Sequence, residues 1–212
     1  MKILLDMDDV LVDWIGPAMK LLGLEWPVAE ERWGEHLWDI PATTGISQDT
    51  FENTIKAAGA DFWAELPWTT EGQDILAVVR DYACDSDIHL CSSPFYGDPG
   101  AACGKLCWIA RELPGFERRT HLTQHKAMLA KSGAILIDDC QANVRDYSQG
   151  GGDAILIPRP WNDLHAVGEV VNWLDSWLRY YRRQLQWGHR IASAGFLTPA
   201  EMSCICAEAL VD

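Results

Sequence analysis

Short apolar runs that stop at carboxylates or small polar residues, with helical segments between them, restrict this 212-residue chain to one broad architecture. Residues 2–7 (KILLDM) form such a run, and similar ones occupy 88–91, 134–137 and 154–157, with a weaker one at 120–123. Helical patterns lie between them at roughly 71–83, 98–113, 124–132 and 141–149, and the second opens with Asp98 as N-cap and Pro99 at the first helical position. Strands and helices alternating at this length predict an α/β protein with a doubly wound, Rossmann-like parallel sheet covered by helices on both faces. Ligands of such sheets bind outside the carboxyl ends of the strands.

The segment from about 14 to 70 breaks the alternation. It reads as several helices punctuated by Pro27, Pro41-Ala-Thr-Thr-Gly45 and Gly59, without a convincing strand, so it is expected to be a small helical cap inserted after the first strand. Six of the eleven tryptophans (14, 26, 33, 38, 63 and 68) fall within it. The expected division is therefore a core of 1–13 and 71–178, a cap of 14–70, and a C-terminal helical extension of 179–212. From about 163 the pattern is that of a long amphipathic helix (Leu164, Val167, Val171, Leu174, Leu178), followed by a short one that opens on the capping box Thr198-Pro199-Ala200-Glu201.

Composition narrows the function. Seventeen Lys and Arg stand against thirty-one Asp and Glu, a formal charge of −14, which argues against a polynucleotide partner held by clustered cations. No run of about 18 apolar residues suggests a membrane span, and the early acid Asp6 argues against a secretory leader, so a cytoplasmic protein is expected. Seven cysteines scattered over apolar segments read as reduced core residues; Cys103-x3-Cys107 and Cys204-x-Cys206 lack the companion ligands of a structural zinc site. Arg179, Arg182, Arg183 and Arg190 form a solvated helix face or a surface that pairs with an acidic neighbour in a homodimer.

Asp6, Asp8, Asp9 and Asp13 place four acids within eight residues, and Asp138-Asp139 closes another apolar run. Each acid alone reads as well as a strand-end cap. If the two runs are neighbouring parallel strands, however, the carboxylates converge, and two unit charges at about 4 Å repel by roughly 4 kcal/mol at an effective dielectric of 20. Such a cluster needs a compensating cation, and an all-oxygen donor set suits Mg²⁺ shared with a substrate phosphate.

With these residues in view, Asp6-Met7-Asp8-Asp9-Val10-Leu11 resembles the first signature of the haloacid dehalogenase superfamily, Leu90-Cys91-Ser92-Ser93-Pro94 the second, Lys126 the third-motif lysine, and Leu136-Ile137-Asp138-Asp139 the fourth. Within that superfamily the chain is most similar, over about residues 1–160, to the 5'(3')-deoxyribonucleotidase family, through Phe62-Trp63-Ala-Glu-Leu66-Pro67-Trp68, Cys91-Ser92-Ser93-Pro94, and Asp138-Asp139 followed by Gly150-Gly151-Gly152. It departs from that family in having Asp9 where Gly is usual, in lacking a Pro-Gly-Ala after the Leu-x-Pro region, and in its C-terminal helices.

The resemblance implies a Mg²⁺-dependent phosphatase acting on a small phosphomonoester, with a (deoxy)nucleoside monophosphate as the leading substrate. Asp6 would be the nucleophile, forming an aspartyl-phosphate, and Asp8 the general acid and base. The metal would be held by Asp6, the Asp8 carbonyl, Asp139 and Asp138, while Ser92, Ser93 and Lys126 would take phosphoryl oxygens. Phe62 and Trp63, with Trp14 and Trp38, are the expected base-stacking aromatics. Two other readings stay open: the same site acting on a sugar or cofactor phosphate, and a non-catalytic binding protein on the same fold.

Overall fold

The structure, a computed structural model, describes residues 1–27 and 39–186. Five strands, β1 (Lys2–Leu5), β2 (Ile88–Ser92), β3 (Thr120–Leu122), β4 (Ala134–Asp138) and β5 (Asp153–Leu156), form one sheet in the order β3-β2-β1-β4-β5. Every neighbouring pair is parallel, with Ile3 opposite Ile88 and Ile135, and Leu5 opposite Leu90 and Ile137. Successive side chains on a strand leave on opposite faces, so a strand apolar at every position is buried on both. Ile3, Leu5, Leu90 and Ile137 accordingly join the main core, while Leu4, Cys91, Leu136 and Tyr147 form a second, smaller one. The α/β architecture and the parallel, Rossmann-like sheet are as the alternation predicts.

Seven α-helices are present among the described residues: α1 (Ile15–Leu21), α2 (Ile40–Thr44), α3 (Gln48–Ala64), α4 (Gly72–Tyr82), α5 (Pro99–Glu112), α6 (Gln141–Gln149) and α7 (Val170–Gln186). The first three lie in the inserted segment, whose ends are tied together: Asp13 N–H donates to Pro67 O at 2.9 Å, and Thr69 N–H donates to Leu11 O at 2.9 Å. Helix α5 begins as expected, with the Asp98 carboxylate accepting from Gly100 N–H at 2.8 Å and Pro99 in the first turn. Helix α3 bends at Gly59, whose φ of 67° and ψ of −167° a side chain would oppose.

Three expectations are corrected. The stretch 124–132 is not a helix but holds one short 3₁₀ turn, Lys126–Leu129. Helix α7 starts at Val170, so Leu164 and Val167 precede it, and its core face is Val170, Leu174, Leu178 and Tyr181. Cys84, Cys103 and Cys107 are free but exposed, and only Cys91 is a core cysteine among the described residues. The capping box at 198–201, Trp33 and the expected stacking residue Trp38 lie outside the described residues. No helix among the described residues is long and apolar enough to cross a membrane.

At the edge of the sheet, His89 on β2 and His121 on β3 stand with ring nitrogens 3.1 Å apart and rings nearly parallel at 22°. Burial, followed by the positive charges of His121, Lys2, Arg119 and Lys131, holds the His89 imidazole below its ordinary pKa.

Candidate active site

Chain order runs outward from β1 through β2 to β3, then returns to the other side of β1 for β4. That reversal opens a crevice at the carboxyl ends of β1 and β4, where an open α/β sheet places its ligands. Backbone bonds continue the ladder past the strand ends, with Asp6 N–H donating to Ile137 O and Ile157 N–H to Asp138 O, each at 2.9 Å. Asp6 and Asp138 are thus fixed side by side by the sheet itself.

Asp6, Asp138 and Asp139 are all buried, and each offers a carboxylate oxygen such that the three oxygens lie within 4.8 Å of one another. Lys126, also buried, places its Nζ 2.7 Å from Asp6 Oδ1 and 2.7 Å from Asp138 Oδ2. Burial, opposed by Lys126 and reinforced by Asp138, Asp8 and Asp139, raises the Asp6 carboxyl well above its ordinary range. Burial would lower Lys126, but the charges of Asp138 and Asp6 outweigh it and hold the ammonium above its usual value. Asp138 also accepts from Cys140 N–H at 2.8 Å, and the Asp139 carboxylate accepts from Trp161 Nε1 at 2.6 Å. Outer contacts of this kind orient metal-binding carboxylates.

Asp8 is placed differently from the other acids. Its carboxylate bonds to the Lys105 ammonium and lies 3.5 Å from the Ser92 hydroxyl, while Lys105 Nζ also donates to Ser92 Oγ at 2.9 Å. Its side chain is therefore outside the three-acid cluster and faces the cleft. Lys105 escapes a reading of the sequence that scores lysines by motif position. One signal does point to it: with Ala101, Trp108 and Ile109 it sits at i, i+4, i+7 and i+8 on the apolar face of α5, where a lysine is out of place without a buried partner.

A cleft of about 360 Å³ opens beside Asp8 and Ser93. Its walls include Trp14, Phe51, Trp63, Phe95 and Tyr96, with Asp39, Gln48 and Gln124 as polar groups. Trp14 and Trp63 stack at 5.6 Å between centroids, and Trp63 Nε1 is anchored on Asp98 Oδ2 at 3.2 Å. Phe62, expected beside them, does not line the cleft; it packs edge-on against Trp63 at 5.3 Å and supports that ring. The Ser93 hydroxyl donates to Thr123 O at 3.0 Å, so it ties the β2 loop to the β3 loop while lining the cleft. Of the other cap tryptophans that are described, Trp26 packs near Trp161, and Trp68 donates to Glu112 and packs against Trp108.

The donor set fits a hard divalent cation. The ligand atoms available are the carboxylate oxygens of Asp6, Asp138 and Asp139, beside which Lys126 pairs with Asp6 and Asp138 and Lys105 pairs with Asp8. Compared with known proteins, the chain matches no protein-family model and no curated sequence.

Proposed function

We propose that this chain is a Mg²⁺-dependent phosphatase for a small phosphomonoester, foremost a (deoxy)nucleoside monophosphate, working through an aspartyl-phosphate on Asp6. The observation that carries the reading is the convergence of Asp6, Asp8, Ser92, Lys126, Asp138 and Asp139 at the carboxyl end of one parallel sheet, with three carboxylate oxygens within 4.8 Å of one another. The resemblance to the haloacid dehalogenase superfamily supplies the roles, and that to its 5'(3')-deoxyribonucleotidase family the substrate class.

In this mechanism an Asp6 carboxylate oxygen attacks phosphorus, and the ester P–O bond breaks. Asp8 gives the departing alkoxide its proton, then takes one from the water that attacks the phosphoryl-Asp6, releasing inorganic phosphate and restoring both acids. Lys126 keeps Asp6 oriented through its bridge to Asp138. Phosphoryl oxygens would compete with Asp8 for the Lys105 ammonium and the Ser92 hydroxyl, freeing Asp8 to carry a proton as substrate arrives. Asp6, Asp138 and Asp139 would hold the Mg²⁺, whose positive charge lets an anionic phosphate approach these acids. The aromatic walls favour a substrate with a planar ring over a sugar phosphate, because stacking on such a wall contributes about 1–3 kcal/mol per base.

The test is phosphate release across a panel of nucleoside, sugar and cofactor monophosphates. Release from nucleotides should require Mg²⁺, stop with a chelator, and fall by on the order of 10³-fold or more in Asp6→Asn. Full activity in that variant would sink the mechanism, and preference for sugar phosphates would sink the substrate assignment.

A further inference from the structure

Asp9 is held at a double cost. Its φ of 54° makes it the one non-glycine residue with positive φ among the described residues, where a glycine would be free of strain. Its carboxylate is also buried, at 3% exposure. Oδ1 is satisfied by Trp14 N–H at 3.2 Å and Ile15 N–H at 3.3 Å, which starts α1, whereas buried Oδ2 has no hydrogen-bond donor. A buried acceptor left without a partner is destabilising, and more so when it is charged. The nearby guanidinium does not relieve it, because Arg159 Nε donates to the Asp9 carbonyl at 2.6 Å instead.

Helix capping does not account for the charge. Asparagine caps a helix start as well as aspartate and tolerates positive φ, so capping does not explain why a carboxylate stands here. Geometry ties it to the metal centre through one loop: Arg159 Nε holds the Asp9 carbonyl, while Trp161 Nε1 donates to the Asp139 carboxylate at 2.6 Å and Asn162 Nδ2 donates to Asp139 O at 2.9 Å. Asp9 is nevertheless outside the group of oxygens that lie within 4.8 Å of one another. It stands beside the metal centre without completing that group.

We infer that Asp9 is an outer anion of the metal centre, a buried carboxylate beside the divalent cation that Asp6, Asp138 and Asp139 would hold, and that it sets how tightly the cation binds. The inference rests on the metal reading of those three acids. It assigns a function to the residue at which this chain departs from the family it resembles, where glycine would bring neither the charge nor the acceptor.

The test is calorimetric titration of the metal-free full-length protein with Mg²⁺ and with Mn²⁺. Asp9→Asn keeps the cap and the backbone conformation but removes the charge, and should weaken binding of both ions by roughly 10–100-fold, as loss of an outer-shell partner does. Asp9→Gly, which fits the φ and lacks the carboxylate, should show the same loss, so the result does not depend on one variant folding. Thermal unfolding without metal should not be lowered in Asp9→Asn, while the upward shift on adding Mg²⁺ should shrink. Unchanged affinity in both variants would overturn the inference and leave the metal centre standing. Absence of any binding to the unaltered protein would overturn both, and tight binding without phosphate release would remove only the phosphatase reading.

Discussion

Lys105 is the residue on which a reading by motif and a reading by packing diverge most. The acids and Ser92 are legible in the sequence because each stands at or just past the end of an apolar run, where α/β sheets gather their chemistry, while Lys126 is legible only through its place in the motif order. Lys105 stands within a helix, its partners Asp8 and Ser92 are distant in sequence, and its Nζ also lies 5.1 Å from the centroid of the Trp63 ring. Only the three-dimensional approach of α5 to β1 and β2 makes it part of the site. If Lys105 meets the phosphoryl group, Lys105→Met should lower kcat for phosphate release by about 10²–10³-fold, the usual loss when one preorganised donor is removed. Steady-state kinetics on a nucleoside monophosphate, with folding checked by near-ultraviolet circular dichroism, would measure it.

At the scale of elements, the site depends on how closely α3 and α5 meet. A Cβ added to Gly104 would lie 2.3 Å from Ala60 O and 2.5 Å from Trp63 Cβ, so nothing larger than glycine fits without moving α3. Gly104→Ala should destabilise the protein by about 1–3 kcal/mol and, because it displaces Trp63 from the cleft wall, raise KM more than it lowers kcat. Thermal denaturation and kinetics on the same preparation would check both. Strand and helix types were legible from periodicity at β1, β2, β4, α5 and α6, where apolar spacing, caps and burial agree. The stretch 124–132 was not, because it must carry the chain from β3 past β2 and β1 to β4, three strand spacings of about 4.8 Å each. Because the strands are parallel, the link must also return to the amino end of the sheet, and a helix advancing about 1.5 Å per residue would not cover both distances, so the stretch holds only the 3₁₀ turn Lys126–Leu129. The turn still delivers Lys126 to Asp6 and Asp138.

For the whole molecule, a parallel sheet buried on both faces could be read from the sequence, but the order of its strands could not, since apolar runs of similar composition do not say which neighbour each takes. The histidine pair is a product of that order, because it forms only where β3 lies beside β2. It makes one contribution to stability whose pH dependence has a definite sign. The His89 pKa is depressed in the fold below its ordinary 6.5, so as pH falls through 6.5 the unfolded chain takes up the proton first and stability is lost until the folded value is passed. Denaturant unfolding on either side of pH 6.5 should show this decline as the difference between the unaltered protein and His89→Gln, because the buried Asp6, held above its ordinary range, acts in the opposite sense. The same strand order bears on how the protein is made. The earliest of these five strands to leave a ribosome is the centre of the finished sheet, and its two partners begin at Ile88 and Ala134. At synthesis rates of about 5–20 residues per second, Ile3, Leu4 and Leu5 must wait several seconds for β4 with an open, sticky edge. Nascent chains halted before β4 should therefore depend on chaperones, and those carried past β5 should not.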